Sequence, residues 1–123
     1  MLTDPIVSII MPTYNSQNYV SESIESIVNQ TFAQWELIIT DDCSTDNTME
    51  IINKFKTIDS RIKVYALDEN LGAGFARNNS IKMAKAKYIA FCDSDDQWIP
   101  KKLEQQLKFM PQHDLQLSFT DYK

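Results

Sequence analysis

The chain has 123 residues, of which 43% are hydrophobic and 24% charged, and it carries a net charge of −5. This length suits one domain with a real hydrophobic core, and the composition excludes disordered, collagen-like and low-complexity classes. The negative charge disfavours nucleic acid as a partner, so a bound phosphate must be met locally by a metal, an arginine or a helix N-terminus. No apolar run approaches the roughly 20 residues of a membrane span, and the first residues lack the pattern of a secretory leader. We therefore expect a cytoplasmic protein.

Short apolar, β-branched runs alternate with segments of helical spacing along the whole chain. This alternation is typical of a parallel sheet covered by helices. The predicted strands cover Ile6–Met11, Glu36–Thr40, Arg61–Leu67, Tyr88–Cys92 and Leu115–Phe119, and Pro12 is expected to end the first of them. The predicted helices are Asn18–Asn29, a second that starts right after Asp41 and Asp42, Ala73–Ala86, and a fourth with Pro100 as its first residue.

Two residue types are rare enough to be informative. Both glycines, Gly72 and Gly74, lie in the loop after the third strand, which indicates a backbone bend or a close approach there. The two cysteines, Cys43 and Cys92, make neither a zinc spacing nor a disulfide framework, and we expect both to be reduced.

The fourth strand runs directly into the carboxylates Asp93, Asp95 and Asp96. Aspartates crowded beside a core lose solvation and repel one another, so they call for a cation or for backbone N–H donors. A divalent cation bound to a diphosphate would supply that compensation. The alternative is that Asp95 or Asp96 starts the next helix, where aspartate is favoured by capping and by the macrodipole.

Ligands of open α/β sheets bind beyond the carboxyl ends of the strands. The residues expected there comprise Thr13, Tyr14 and Asn15, then Asp41 and Asp42, then Gly72 to Arg77, and finally Asp93, Asp95 and Asp96. An aromatic ring, several carboxylates and one arginine suit a nucleoside diphosphate with its metal. Neither a Gly-x-Gly-x-x-Gly turn after the first strand nor a phosphate loop is present, and the single histidine, His113, has no nucleophile motif beside it.

Four segments resemble, in the same order, the motif set of family 2 glycosyltransferases with the GT-A fold: Val7–Asn15, Asp41–Thr48, Asn70–Asn78 and Phe91–Trp98. The resemblance implies an α/β, Rossmann-like three-layer sandwich with a mostly parallel central sheet, truncated after about five strands. It implies that residues 1–123 are the nucleotide-sugar-binding part of such an enzyme, without the acceptor side. The longer enzyme would be cytoplasmic or peripheral at the inner face of the membrane.

The activity implied by the resemblance is inverting, metal-dependent transfer of a sugar from a nucleotide diphosphate sugar to an acceptor hydroxyl. The donor would be a UDP-sugar, the acceptor a glycan or a lipid-linked molecule, and the cofactor Mn²⁺ or Mg²⁺. Such a reaction belongs to the synthesis of surface polysaccharides or other glycans. The alternative is a nucleotide-sugar-binding module without transfer activity.

The resemblance also implies roles for single residues. Tyr14 would pack on the uracil ring, Thr13 would contact the nucleoside, and Asp41 would accept a hydrogen bond from the pyrimidine N–H. Arg77 would approach the uracil edge or the diphosphate. The full nucleotide-binding set is Pro12, Thr13, Tyr14, Asp41, Asp42, Gly72, Arg77, Asp93 and Ser94.

The metal ligands implied are the Asp-x-Asp pair, Asp93 and Asp95. Asp93 would face the ribose and a metal-bound water, and Asp95 would ligate the cation between the two phosphates. Three alternatives remain open for the nucleotide set: Tyr14 as a turn aromatic that closes the core, Asp42 as a helix-start residue, and Arg77 as an exposed helix charge.

A general base is not identified in the sequence. Inversion by direct displacement needs a base within hydrogen-bond reach of the acceptor hydroxyl. Glu104 lies inside a predicted helix, and Asp114 and Asp121 flank the last strand without a matching motif. We expect the base downstream of Lys123. Two other classes of α/β protein fit the sequence less well. A receiver domain would need its acidic pair after the first strand, whereas the carboxylates here follow the second and fourth strands. A sugar nucleotidyltransferase would need a glycine-rich loop after the first strand, and none is present.

Overall fold

The computed structural model describes residues 4–113 and 118–119 and contains a five-stranded parallel sheet. The strands are β1 (Val7–Thr13), β2 (Trp35–Asp41), β3 (Ile62–Ala66), β4 (Tyr88–Phe91) and β5 (Ser118–Phe119). The helices are α1 (Val20–Val28), α2 (Thr48–Ile58), α3 (Ala73–Met83) and α4 (Lys102–His113). The strand order is β3-β2-β1-β4-β5, so the direction of winding reverses between β1 and β4. The predicted α/β class with a parallel sheet is confirmed.

The central strands are buried on both faces, which is why they read as continuous apolar runs. Side chains on one face of the sheet, such as Ile9 and Leu37, pack in the same core as Ile24 and Ile27 of α1. Each of these side chains is fully buried, which contributes roughly 1.5–3 kcal/mol per residue. On the opposite face α3 lies against β1 and β2. The sheet therefore has helices on both sides, as a three-layer sandwich requires.

The prediction that Pro12 ends the first strand is wrong, because β1 continues through Pro12 to Thr13. Proline has no N–H and is normally excluded from a strand that is paired on both sides. The register of β4 against β1 stops at Ile10, so Pro12 is paired only with Thr40 of β2. The longer strand places Thr13 directly beside Asp41.

Two helix starts also differ from the prediction. Helix α2 begins at Thr48 and not right after Asp42, because residues 43–47 form a loop that is hydrogen-bonded to residues 15–17. Helix α4 begins at Lys102, whose N–H donates to the carbonyl of Ile99, so Pro100 lies in the turn before the helix.

Helix α3 ends at Met83, three residues before the predicted Ala86. The next backbone N–H groups are taken by buried side chains: Lys85 donates to Glu36 at 2.8 Å and Ala86 to Ser8 at 3.0 Å. These contacts pull the chain out of the helix and towards β4. Helix α1 is shorter than predicted by two residues at the start and one at the end.

Of the predicted last strand, Ser118 and Phe119 are in strand conformation and pair with β4, whereas residues 115–117 lie outside the described part. Across residues 4–113 and 118–119, no helix has both the length and the hydrophobicity needed to cross a bilayer.

Candidate functional site

A cavity of about 420 Å³ opens at the carboxyl ends of β1, β2 and β4. Parallel strands end on the same edge of a sheet, so their terminal residues meet there. The cavity is lined by Pro12, Thr13, Tyr14, Asn15, Ser16, Tyr19, Asp42, Ala73, Arg77, Asp93, Ser94 and Asp95. The winding reversal between β1 and β4 falls at this same edge.

Tyr14 follows β1 and is 47% exposed. A turn aromatic that closed the core would be buried, so the structure does not support that alternative for Tyr14. Its carbonyl accepts a hydrogen bond from the Ser16 hydroxyl at 3.2 Å, which fixes the main chain while the ring stays accessible. The ring can therefore offer a face to a ligand in the cavity.

Asp41 at the end of β2 is 1% exposed and is not part of the cavity wall. Its Oδ1 accepts from the Thr13 and Ser44 hydroxyls, each at 2.7 Å, and its Oδ2 accepts from the Ser44 N–H at 2.8 Å. These donors compensate the buried charge, which would otherwise be costly. The carboxylate thereby holds the ends of β1 and β2 together, and its contact with a pyrimidine stays a prediction.

Asp42 lines the cavity but turns its carboxylate towards the loop before α3. One oxygen accepts from the Leu71 N–H at 2.7 Å and the other from the Gly72 N–H at 2.9 Å. Gly72 has φ +100°, a conformation that L side chains rarely adopt, so this bend requires glycine. Asp42 does not start α2, which begins at Thr48; its carboxylate instead holds the loop that leads into α3, where negative charge near a helix N-terminus is favoured by the macrodipole.

Arg77 of α3 is half-buried and lines the cavity. Among the described residues it has no hydrogen-bond or ion-pair partner. A guanidinium held at a cavity wall without a carboxylate partner is available to an anionic ligand. The exposed-charge alternative does not fit its half-buried position.

Asp93, Asp95 and Asp96 form the acidic cluster of the site. Carboxylate oxygens of the three residues lie within 4.8 Å of one another, and the Asp96 N–H donates to the Asp93 carbonyl at 3.0 Å, which closes the turn. Asp93 and Asp95 are exposed, and within the described residues no donor of the chain engages their carboxylates. Hard oxygen ligands at this spacing fit Mn²⁺ or Mg²⁺. Neither Asp95 nor Asp96 starts the next helix, because α4 begins at Lys102.

The loop between Asp42 and α2 contains one carboxyl group with a shifted pKa. Burial acts to raise the pKa of Asp46, but hydrogen bonds from the Thr48 hydroxyl and N–H outweigh it and hold that pKa below its ordinary value. Asp46 also accepts from the Gln17 N–H at 3.4 Å. Its charge therefore helps to fasten this loop to the loop after β1.

Comparison with known protein families identifies the family of this chain. The family described as "Glycosyl transferase family 2" matches residues 8–121. The chain belongs to glycosyl transferase family 2.

Relatives at the level of sequence include TuaG of Bacillus subtilis (strain 168), a protein named for teichuronic acid biosynthesis. It is 47% identical over 118 residues, which cover 96% of this chain and 47% of TuaG. Another is the Escherichia coli protein WfgD, a UDP-Glc:alpha-D-GlcNAc-diphosphoundecaprenol beta-1,3-glucosyltransferase. It is 43% identical over 122 residues, which cover 99% of this chain and 47% of WfgD. The chain thus spans about half the length of these family 2 relatives.

Among solved structures, S. aureus TarS residues 1–349 in complex with UDP superimposes with a TM-score of 0.83 and 36% sequence identity. The match covers 88% of this chain and 32% of that one. The family 2 assignment and this superposition confirm the predicted GT-A fold.

The structure brings most of the predicted family 2 site residues into one cavity. Those on its wall are Pro12, Thr13, Tyr14, Asp42, Arg77, Asp93, Ser94 and Asp95, whereas Asp41 and Gly72 are not on it. Their roles towards a ligand stay predictions. The sequence interpretation left out Tyr19, which is 55% exposed on the cavity wall. A second aromatic in the same loop as Tyr14 was the signal that could have indicated it.

Proposed function

We propose that this chain is the donor-binding part of an inverting, metal-dependent glycosyltransferase that takes its sugar from a UDP-sugar. One observation carries the proposal: a single cavity is lined by an exposed aromatic ring (Tyr14), a guanidinium without a partner among the described residues (Arg77) and the Asp-x-Asp carboxylates of Asp93 and Asp95. A nucleoside diphosphate presents a flat base, a charged diphosphate and metal-binding phosphate oxygens. Each of the three features would suit one of these groups.

The charges support a divalent cation at this site. A diphosphate brought to a protein of net charge −5, beside three carboxylates, would be repelled unless positive charge lay between them. Asp93 and Asp95 would hold the cation, with Asp96 as the third carboxylate of the cluster. When bound, the cation would offset the negative charge that gathers on the departing nucleoside diphosphate. Arg77 would add a second positive group.

The relatives support the choice of donor and the class of pathway. WfgD is named for a UDP-Glc donor and a diphosphoundecaprenol acceptor, and TarS was solved with UDP and with UDP-GlcNAc. TuaG is named for the synthesis of teichuronic acid. We therefore propose a UDP-sugar donor and a glycan or lipid-linked acceptor in surface polysaccharide synthesis. Such an acceptor suits a cytoplasmic enzyme that is peripheral at the inner face of the membrane.

The general base belongs to the acceptor side of the proposed reaction. Asp42 is the carboxylate of the cavity wall outside the acidic cluster, and both of its oxygens already accept backbone N–H groups. Both oxygens are therefore already engaged by the chain and turned away from a position where they could accept a proton from an acceptor hydroxyl. We therefore keep the base downstream of Lys123, as the sequence predicts.

Calorimetric titration of UDP with Mn²⁺ or with a chelator tests the proposal. We expect binding that depends on Mn²⁺ and a loss of affinity of more than about tenfold in Asp95→Asn, which removes a charged ligand and conserves shape. Asp4→Asn makes the same chemical change at an exposed position before β1 and should bind normally. Undiminished affinity in Asp95→Asn, or binding that ignores the metal, would contradict the assignment.

A further inference from the structure

A row of polar side chains on α1 and just after its end faces the segment that leads from β4 to α4. The row consists of Ser23 and Ser26, which share one face of α1 because they are three residues apart, and Gln30, which follows the end of the helix at Val28. Ser23 is fully buried and Gln30 is 7% exposed. Buried polar groups are tolerated in a core only when they are hydrogen-bonded. The hydrogen-bond partners of this row therefore show which segments it holds in place.

Ser23 contacts the turn that carries the acidic cluster. Its hydroxyl donates to the carbonyl of Ser94 at 2.7 Å. Ser94 is the residue between Asp93 and Asp95, so its main chain determines where both carboxylates project. The side chain of Ser94 is held as well, because its hydroxyl lies 2.8 Å from the hydroxyl of Ser16 in the loop after β1.

The rest of the row holds the chain farther along. The Trp98 N–H donates to Ser26 Oγ at 3.0 Å. Gln30 donates from Nε2 to the Ile99 carbonyl at 2.7 Å and accepts from the Leu103 N–H at 3.0 Å. Within the row, Ser23 contacts the Asp-x-Asp turn, whereas Ser26 and Gln30 contact the segment between that turn and the first turn of α4.

We propose that Ser23 is a positioning residue for the divalent-cation site, and the inference rests on the proposed function. By fixing the Ser94 carbonyl, Ser23 holds Asp93 and Asp95 close together before the cation arrives. Two exposed carboxylates that must face each other repel, so without this contact part of the cation's binding energy would be used to order the turn. Ser23 does not touch the ligand itself and acts through Ser94.

The experiment compares Ser23→Ala with Gln30→Ala in the whole chain, because both variants remove a polar side chain of the same row. Mn²⁺ affinity is measured by electron paramagnetic resonance, and UDP affinity at saturating Mn²⁺ by calorimetry. We expect Ser23→Ala to weaken Mn²⁺ binding about three- to tenfold, the effect of one lost hydrogen bond. Gln30→Ala should lower the unfolding midpoint but leave Mn²⁺ affinity unchanged. Hydrogen exchange of the Asp95 and Asp96 amides should become faster in Ser23→Ala alone.

The possible outcomes distinguish the role of Ser23 from the proposed function of the chain. Equal Mn²⁺ affinity in Ser23→Ala and the unchanged chain would overturn the role of Ser23 and leave the proposed function standing. An equal loss in Gln30→Ala would show a general effect of stability and would also overturn it. Absence of Mn²⁺-dependent UDP binding in the unchanged chain would overturn the proposed function and this inference together. If Ser23→Ala does not fold, Ser23→Cys conserves size with a weaker donor, and normal Mn²⁺ affinity in that variant would overturn the inference.

Discussion

Replacing Asp42 by alanine should destabilise the fold by loosening the start of α3. Asp42 is 3% exposed, and its carboxylate accepts hydrogen bonds from the N–H groups of Leu71 and Gly72 at 2.7 and 2.9 Å. A hydrogen bond to a charged acceptor is worth about 1.5–3 kcal/mol. Leu71 is 44% exposed, so water can reach the released N–H groups and the loss lies at the lower end of the range. For the two bonds together, at about 1.5 kcal/mol each, we expect a loss of about 3 kcal/mol.

Urea unfolding followed by circular dichroism measures this loss. With a slope of about 1.5 kcal/mol per molar urea, a loss of about 3 kcal/mol should lower the midpoint by about 2 M. Asp42→Asn is the matched variant, because its amide keeps one acceptor oxygen while its NH₂ faces the other N–H. It should lose more than half of the same free energy, since charge assistance disappears from both contacts.

Asp42→Ala should also weaken ligand binding, through its effect on α3. Arg77 lies on the second turn of α3, so a loosened helix start lets the guanidinium move away from the cavity. We expect UDP affinity in Asp42→Ala to fall several-fold even with Mn²⁺ present. A loss of stability below about 0.5 kcal/mol, the range of ordinary surface substitutions, would refute the assigned contacts.

Two further predictions concern the base contact and the dependence of stability on pH. Tyr14→Ala should weaken UDP binding by about tenfold, within the range measured for stacking of a base on an aromatic ring, without shifting the unfolding midpoint. Tyr14→Phe should retain affinity in the same calorimetric titration, and a loss there would point to the hydroxyl instead of the ring. The Arg61 side chain, hydrogen-bonded to Asp59, lowers the pKa of that carboxyl below 3.8 against the opposing effect of burial. Its contribution to stability is therefore complete above pH 3.8 and lost as the pH falls through the lower folded pKa, so Asp59→Asn should destabilise the chain at neutral pH but not in strong acid. Urea midpoints of both proteins across that pH range test the sign, and a constant difference would contradict it.

The order of elements could be predicted because each has a local signal. Period-two and continuous apolar runs indicated the strands, and apolar positions such as Val20, Ile24 and Ile27 indicated the buried face of α1. The ends of elements could not be predicted where distant side chains decide them. The end of α3 depends on N–H bonds to Glu36 and Ser8, which are far away in sequence.

The sequence was enough to predict at which edge of the sheet the site lies. It was not enough to predict which carboxylate oxygens there are hydrogen-bonded within the chain. Sequence pattern placed Asp41, Asp42, Asp93 and Asp95 together because parallel strands end on one side. It could not show which of these carboxylates accept hydrogen bonds from the chain and which stay available to a ligand. That depends on donors such as the Ser44 hydroxyl, which only the folded loops bring into reach.

The two carboxylate pairs at this edge have divided roles. Asp41 and Asp42 are buried, and their oxygens accept hydrogen bonds from the chain, so they hold together the strand ends and the loop beside the cavity. Asp93 and Asp95 are exposed, and no donor among the described residues engages their carboxylates. Charge of the same sign left uncompensated at the wall of a cavity repels an anionic ligand and attracts a cation. Nucleotide affinity should therefore depend on metal concentration through the second pair, and on the stability of the fold through the first.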